Sequence, residues 1–252
     1  MLGHVADGVG EVRRAVREEL RNGAHQIKIM AGGGIASPND PLDGLQYSVE
    51  ELRAIVEEAS NAGTYVMAHA YTPAQIARAV GNGIRSIEHG NLLDAEAARI
   101  MAEHGAFLVP TLATYDALYR NGAKLGWSDA MMAKLDLVRA QSLDAIRHAR
   151  AAGVKIGFGT DLLGDMHVDE SLEFSLRAPA MPAAEILRSA TYVNAELLRQ
   201  SGTLGVIAPG ALADLVVVDG NPLDDLSLLQ QQGAHLPLIM KAGRAYKNTL
   251  TA

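Results

Sequence analysis

The alternation of charged amphipathic segments with short apolar runs restricts the fold of this chain more than any other feature. Apolar residues recur at helical spacing from Val9 to Asn22 and predict an opening helix. Five strand–helix units follow it. The predicted strands are apolar runs bounded by turn signals, at residues 27–30, 65–69, 84–89, 107–109 and 154–159. Strands that alternate with helices pair in parallel beneath those helices, so the predicted fold class is α/β.

Capping signals mark where the predicted helices begin. Ser48 is followed three residues later by Glu51, which is the spacing of a capping box. Pro73 follows Thr72 and fits the first position of another helix. The predicted helices after the opening one cover residues 48–59, 72–80, 94–104, 131–151 and 182–200. Between residues 110 and 130 we predict a polar loop.

The alternation of predicted strands and helices ends at about Gly205. Two strands with turn-like ends are predicted there, at residues 213–218 and 237–244. We therefore divide the chain into an α/β part, residues 1–205, and a small β part, residues 206–252.

Composition excludes several classes of function. The net charge of −7 argues against a nucleic-acid partner, because phosphate binding needs clustered lysine and arginine. The absence of cysteine excludes disulfides and thiolate metal sites and fits a cytoplasmic protein. No apolar run is long enough to span a membrane, and the first residues lack the pattern of a signal peptide. Hydrophobic residues make up 48% of the chain, which is enough for a substantial core. The partner that remains is a small-molecule substrate.

Polar residues lie where the predicted strands end. In parallel α/β barrels the loops after the strands meet at one face and carry the catalytic groups. The residues at these ends are Lys28, His69, His89, Thr111 and Asp161. Lys28 stands inside an apolar strand, where a charged amine is costly unless it is paired or modified.

Each of these residues also has a purely structural explanation. Lys28 could extend its amine to the strand end, and either histidine could bond to backbone in the core. Asp161 could cap the following turn. Their coincidence at strand ends is harder to explain in this way and favours a functional site.

Four strand-end motifs resemble those of the amidohydrolase superfamily. The motifs are Ile27-Lys28-Ile29-Met30-Ala31 with Gly32-Gly33-Gly34, Ala68-His69-Ala70, Ser86-Ile87-Glu88-His89-Gly90 and Gly159-Thr160-Asp161. Within the superfamily the chain resembles the imidazolonepropionase-like and Xaa-Pro dipeptidase (prolidase-like) branch. The tail is similar to these enzymes as well, over residues 205–210 and 213–218.

The resemblance implies a TIM (β/α)₈ barrel that holds two divalent metals, usually zinc, at its mouth. Lys28 would be carboxylated by CO₂ to a carbamate that bridges the metals. His69 and His89 would bind the second metal. Asp161 would bind the first metal and act as general base and general acid. The implied reaction is hydrolysis of an amide-like C–N bond by a metal-activated hydroxide, in a dipeptide, an acyl-amino acid, a cyclic amide or a related carbamate or ester.

Three further residues are candidates for substrate binding. Tyr71 lies two residues after His69, and Tyr115 follows the fourth predicted strand. His167 lies on the same loop as Asp161. A phenol at a barrel mouth can donate a hydrogen bond to a substrate carboxylate or carbonyl. Either tyrosine ring could instead pack within its own loop.

The chain departs from the family pattern because it contains no His-x-His pair, which members carry at the end of the first barrel strand. Five units also fall short of the eight that close a barrel. We therefore expect barrel units four to eight, followed by the carboxyl-terminal strands of a small β-sandwich. Five strands leave two open edges, so we expect a homo-oligomer or pairing with an amino-terminal segment.

Two other functions stay open at this point. A lysine in a barrel strand can attack a carbonyl, so Lys28 could serve a Schiff-base lyase. Two strand-end histidines together with Asp161 fit a metal better than they fit that chemistry. The chain could also be a catalytically incomplete fragment, because the His-x-His ligands are absent from it.

Overall fold

The computed structural model describes residues 3–250, and its central element is a parallel sheet with the strand order β1-β2-β3-β4-β5. The strands are β1 Ile27–Met30, β2 Val66–Ala70, β3 Ser86–His89, β4 Phe107–Val109 and β5 Lys155–Ile156. The predicted parallel sheet is therefore confirmed, and β1 is one of its edge strands.

The last of these strands, β5, is shorter than the predicted strand over residues 154–159. Beyond Ile156, side chains bind the backbone. The Arg177 guanidinium donates to the Gly157 carbonyl at 2.6 Å, and the Asn194 amide bonds to both backbone groups of Phe158 at 2.8 Å. The apolar sequence predicted a strand where these side-chain hydrogen bonds take the place of a ladder.

Helices follow the strands along the chain. Their bounds are α1 Gly8–Arg21, α2 Val49–Asn61, α3 Pro73–Gly81, α4 Ala95–Glu103, α5 Leu112–Asn121 and α6 Asp129–Ala151. The capping box predicted at Ser48 is formed. Thr72 caps α3 with Pro73 as its first residue, as predicted, and Gln75 completes a second capping box there. α1 packs on α2, where the Arg17 guanidinium donates two hydrogen bonds to Glu58 at 2.7 and 2.6 Å.

The prediction of a polar loop between residues 110 and 130 is wrong in its first half, which forms α5. Ala113 and Ala117 lie one helical turn apart and pack with Leu162 in a small apolar cluster. A helix forms because burying this face stabilises it. The polar residues between the alanines hid the spacing in the sequence.

The rest of the chain begins with short helices and ends in an antiparallel sheet. The helices are α7 Leu172–Arg177, α8 Ala183–Arg188 and α9 Asn194–Leu197, with a π-helical turn at Ser189–Val193. The sheet has the order β6-β7-β8, with β6 Leu215–Val217, β7 Leu238–Lys241 and β8 Arg244–Asn248. The two strands predicted after residue 205 are present, and β8 is an additional one that sequence reasoning missed.

The chain divides into two compact units. The first comprises Met1–Val109 and Ala123–Lys155, and the second comprises Pro110–Gly122 and Ile156–Ala252. Gly205 lies inside the second unit, where helices give way to the antiparallel sheet. A domain boundary at that residue stays a prediction.

Among the helices of residues 3–250, none combines the length and the apolar character that crossing a lipid bilayer requires.

Candidate functional site

In the first unit, His69 lies near the end of β2, on the sheet face that also carries Lys28. The parallel register pairs Met30 with His69, and residues two apart on a strand share a face. Lys28, Met30 and His69 therefore lie on the same side of the sheet. His69 is only 5% exposed, and the rings of Tyr71 and His89 pack against it, with centroids 4.8 and 4.6 Å away.

His89 reaches this cluster because its backbone turns at the end of β3. The register pairs His89 with Ala70, so a regular strand residue here would face away from His69. The φ angle of His89 is instead 78°, a left-handed value that residues other than glycine seldom adopt. Such a conformation costs about 1–3 kcal/mol and persists only where surrounding structure enforces it. Here it places the two imidazoles edge to face.

The hydrogen bond of His69 fixes which of its nitrogens is free. Its Nε2 lies 3.2 Å from the Gly33 carbonyl oxygen. A carbonyl can only accept, so Nε2 carries the proton and donates. The lone pair is then on Nδ1, which makes Nδ1 the atom able to bind a metal.

Both histidines are neutral at physiological pH. Burial is the main reason that the pKa of His69 falls from 6.5 to about 4, with the Gly33 carbonyl opposing this change and the Lys28 charge adding to it. Burial also holds the pKa of His89 well below 6.5, with smaller contributions from His69 and Lys28. Neutral imidazole is the form that binds divalent metals.

Tyr71 is buried beside the two imidazoles rather than at the surface. Its ring meets His69 edge to face and stacks on His89 at 5.6 Å between centroids. The ring thus packs against both candidate ligands. Its predicted role in substrate binding stays a prediction.

The expectation that the Lys28 amine is costly because it is buried is wrong for this chain. Burial alternates along β1, with Ile27 and Ile29 buried while Lys28 and Met30 are exposed. The side chains on one face of β1 are therefore buried, whereas the two on the other face are exposed. The charge of Lys28 still reaches both histidines, since it lowers the pKa of each. Its carboxylation stays a prediction.

In the second unit, Asp161 and Thr111 share the unusual backbone conformation of His89. Their φ angles are 52° and 51°. Thr111 is buried and precedes α5, whereas Asp161 is exposed. Leu162, directly after Asp161, packs in the apolar cluster with Ala113. The loop is therefore fixed by its neighbour while the carboxylate stays open to solvent.

The other two candidates in the second unit differ in exposure. Tyr115 is buried within α5. His167 is exposed in a 3₁₀ turn over Gly164–Asp169, and its Nδ1 donates to the Glu170 carboxylate at 2.6 Å. His167 is thus the candidate that a dissolved molecule can reach directly.

Sequence reasoning missed a buried ion pair that supports the Asp161 loop. Glu173 and Arg177 have no exposed surface and are 2.5 Å apart. Glu173 accepts a hydrogen bond from the Ala113 amide at 2.7 Å, and Arg177 donates to the Gly157 carbonyl. The pair therefore connects α5 to the segment that leads to Asp161. Its i,i+4 spacing is an ordinary surface pattern, so the sequence held no signal for it.

The two imidazoles alone are too few donors to hold a divalent metal. Within residues 3–250, no three His, Cys, Asp or Glu side chains gather in a group that could hold one. The two neutral imidazoles supply two nitrogen donors, and a structural or catalytic zinc needs at least three protein ligands. The pair therefore fits a metal once Lys28, or a group outside this part of the chain, adds an oxygen donor.

Comparison with known proteins finds consistent similarities. The model of a family described as "Amidohydrolase family" matches residues 1–244. Ochratoxinase of Aspergillus niger is 35% identical over 245 residues, which are 96% of this chain and 50% of that protein. The crystal structure of a prolidase complexed with N-methylphosphonate-L-proline is 54% identical with a TM-score of 0.94, and the match covers 98% of this chain and 60% of that one.

A crystal structure of a Xaa-Pro dipeptidase with bound methionine in its active site is 35% identical with a TM-score of 0.85, and covers 97% of this chain and 60% of that one. The chain thus spans between half and about three-fifths of the length of these relatives. The structural matches confirm the predicted fold class, a part of an amidohydrolase-type (β/α)₈ barrel.

Proposed function

Since this chain belongs to the amidohydrolase family, we propose that it supplies one metal-binding half of a hydrolase that cleaves an amide-like C–N bond. The observation that carries this proposal is the pair of buried, neutral imidazoles of His69 and His89, with ring centroids 4.6 Å apart. Two neutral imidazoles side by side are costly to bury and have little purpose in a packed core. They are the nitrogen donors that zinc prefers.

His69 would bind the metal through Nδ1, because Nε2 is used by the Gly33 carbonyl. His89 would supply the second nitrogen, and a carbamate on Lys28 the first oxygen. To form it, the Lys28 ammonium first gives a proton to solvent, and the neutral amine then attacks CO₂ and loses a second proton, so a cation becomes an anionic oxygen donor. The exposure of Lys28 supports this step, since dissolved CO₂ can reach the amine. When bound, the metal would polarise the scissile carbonyl and lower the pKa of water.

Asp161 would move the protons of the reaction. An exposed carboxylate can accept a proton from the attacking water and then deliver it to the departing amine. The cluster around Leu162 and the Glu173–Arg177 pair support this role, because they fix the backbone beside Asp161 while its side chain stays accessible.

We propose as substrate a dipeptide or acyl-amino acid with proline on the amine side of the cleaved bond. Among the relatives described above, a prolidase 54% identical to this chain is complexed with N-methylphosphonate-L-proline. We propose His167 as the first contact for the carboxylate of such a substrate, since it is exposed. Tyr71 and Tyr115 would act from deeper positions, because both are buried.

We also propose that β1 pairs with a further strand. β1 is an edge strand with Lys28 and Met30 exposed on one face, and open edges invite pairing. An amino-terminal segment of a longer protein, or a second copy, would supply that strand.

Calorimetric titration of the chain with zinc tests the metal site. We expect about one tight equivalent, because Lys28, His69 and His89 make a single three-donor set. Replacement of either histidine by asparagine should abolish tight binding, whereas His104→Asn, which changes an exposed helix-end histidine, should leave it intact. Two tight equivalents, or binding that survives both histidine replacements, would contradict the proposal. Trapping of a carbonyl substrate on Lys28 by borohydride would instead indicate the Schiff-base lyase.

A further inference from the structure

The side chain of Gln75 makes every hydrogen bond that an amide can make. Its oxygen accepts from the backbone amides of Tyr71 and Thr72 at 2.8 and 3.0 Å. Its nitrogen donates to the carbonyls of Leu42 and Gly44 at 2.6 and 2.9 Å. Because both carbonyls can only accept, the orientation of the amide is fixed. Gln75 is 1% exposed, so these bonds form away from water.

These bonds join two strand-end loops. Tyr71 and Thr72 follow β2, and residues 31–47 form the loop after β1. Gly32 at the start of that loop lies directly against Gln75, because a β-carbon built on Gly32 would be 2.2 Å from the Gln75 nitrogen. The loop therefore meets the Gln75 amide at three points, which are Gly32, Leu42 and Gly44.

The same loop positions the carbonyl that binds His69. A β-carbon built on Gly33 would be 2.1 Å from the Pro41 carbonyl oxygen. The start of the loop therefore touches its later part at Pro41, the residue before Leu42. The next group along is the Gly33 carbonyl itself, 3.2 Å from His69 Nε2. An unbroken series of contacts thus runs from Gln75 through Leu42 and Pro41 to the hydrogen bond of His69.

We infer that Gln75 is a positioning residue for His69. It keeps the His69 imidazole in the Nε2-protonated tautomer, in which Nδ1 is the nitrogen that can bind a metal. This inference rests on the proposed role of His69 as a ligand. Groups that orient a ligand histidine from outside the metal's own ligand set typically change metal affinity by roughly 10–100-fold when lost. Gln75 would act in this way through a loop rather than by direct contact.

Gln75 also has an ordinary structural role, because it forms the capping box of α3 with Thr72. Gln75→Glu separates the two roles. A carboxylate still accepts from the Tyr71 and Thr72 amides, so the helix start is preserved. It cannot donate to the Leu42 and Gly44 carbonyls, so the loop is released. Thr72→Ala is the matched control, since it removes the cap but leaves the Gln75 amide on the loop.

The test combines nitrogen NMR of the imidazoles in the metal-free chain with zinc titration of the same variants. In the parent protein we expect His69 to be protonated on Nε2, assigned by the loss of its signals in His69→Asn. Gln75→Glu should give a mixture of tautomers and weaken zinc binding by roughly 10–100-fold. Thr72→Ala should leave the tautomer unchanged and alter zinc affinity by less than about threefold. The hydroxyl that it removes accepts from the backbone amide of Gln75, and the Gln75 side chain stays on the loop after β1.

Gly32→Ala tests the same contact from the other side and guards against a Gln75 variant that does not fold. Its β-carbon would displace the Gln75 amide, so it should shift the His69 tautomer in the same direction. A parent spectrum with His69 protonated on Nδ1, or folded variants that keep both tautomer and affinity, would overturn the inference. Failure of the parent to bind zinc would contradict the proposed function instead, and the tautomer measurement would still decide the role of Gln75.

Discussion

The two candidate imidazole ligands of the first unit and two candidate groups of the second unit, Asp161 and His167, differ in their exposure. In the first unit, His69 and His89 are enclosed by each other and by Tyr71. In the second unit, Asp161 and His167 are exposed. Metal ligands benefit from a rigid, dry environment, since a fixed geometry and a neutral imidazole favour binding. A proton-transfer or substrate-binding group must be reachable. The proposed roles of the two sets of residues fit this difference in exposure.

The largest effect on activity is expected for the replacement of Asp161 by asparagine. We expect hydrolysis of a proline dipeptide to fall by about 10²–10⁴-fold, the contribution of general acid–base catalysis, with further loss if a metal ligand is removed. Folding and zinc binding at the histidine pair should persist. Asp165→Asn, an exposed aspartate four residues on, is the control. Measured kcat/KM within a few-fold of the parent would show that Asp161 is only a turn residue.

Replacement of Lys28 by alanine tests whether the first unit alone completes a ligand set. Loss of a direct ligand should weaken zinc binding beyond the roughly 100-fold that loss of an orienting group can cost. Added acetate should partly restore binding, because its carboxylate can take the place of the carbamate. The readout is zinc affinity by calorimetry with and without acetate. Undiminished zinc occupancy in Lys28→Ala would refute the carbamate.

The pH dependence of stability should reveal the enclosure of the histidines. The pKa of His69 is about 4 in the folded chain against 6.5 unfolded. Between pH 6.5 and 4, the unfolded state therefore binds a proton at His69 that the folded state does not bind. Stability is therefore complete above pH 6.5 and is lost as pH falls towards 4. The loss from His69 is roughly 3 kcal/mol, and His89 adds to it in the same direction.

Urea unfolding of the metal-free chain at several pH values measures this loss. His69→Gln should flatten the dependence, whereas His167→Gln, in the second unit, should leave its slope as in the parent. Equal slopes in the parent and in His69→Gln would mean that His69 is not enclosed in solution.

The smallest effect is expected for Tyr71→Phe, which keeps the ring against both imidazoles and removes only the hydroxyl. If that hydroxyl binds substrate, KM should rise by up to about tenfold, the value of one hydrogen bond, while zinc affinity is unchanged. Tyr119→Phe, at an exposed tyrosine, is the matched control. An unaltered KM would show that the Tyr71 hydroxyl does not bind substrate and that the ring serves only to pack against the imidazoles.

Much of the architecture could be predicted because local rules govern it. Apolar runs indicated the parallel strands, the capping box at Ser48 indicated the start of α2, and the Thr72-Pro73 pair indicated the start of α3. The prediction failed at α5 and β5, where contacts from residues distant in sequence decide the structure. Ala113 is buried by Leu162, and the backbone after Ile156 is bound by Arg177 and Asn194. No pattern within a short window contains these partners.

The candidate site divides in the same way. The strand-end rule found His69 and His89 and brought them to adjacent strands. It could not find the left-handed backbone that turns His89 towards His69, because nothing in the motif distinguishes that conformation from a regular strand. Nor could it find the contact of Gln75 with the loop after β1, because Leu42 and Gly44 lie more than 30 residues earlier in the chain.

The loop over residues 31–47 is held almost entirely by its own backbone oxygens. Gln75 binds the carbonyls of Leu42 and Gly44, Arg78 binds those of Gln46 and Tyr47, and Lys134 binds those of Ser37 and Asp40.

Every residue has a backbone carbonyl, whatever its side chain. The backbone path of the loop therefore depends little on which exposed side chains the loop carries. Gly32, Gly33 and Gly44 have close neighbours where a side chain would begin, and Ile35 is buried, but we expect substitution of the exposed side chains of this loop to have little effect on the histidines. A mutant library confined to residues 36–40, which are mostly exposed, should therefore vary the surface of the loop while the ligand geometry stays constant.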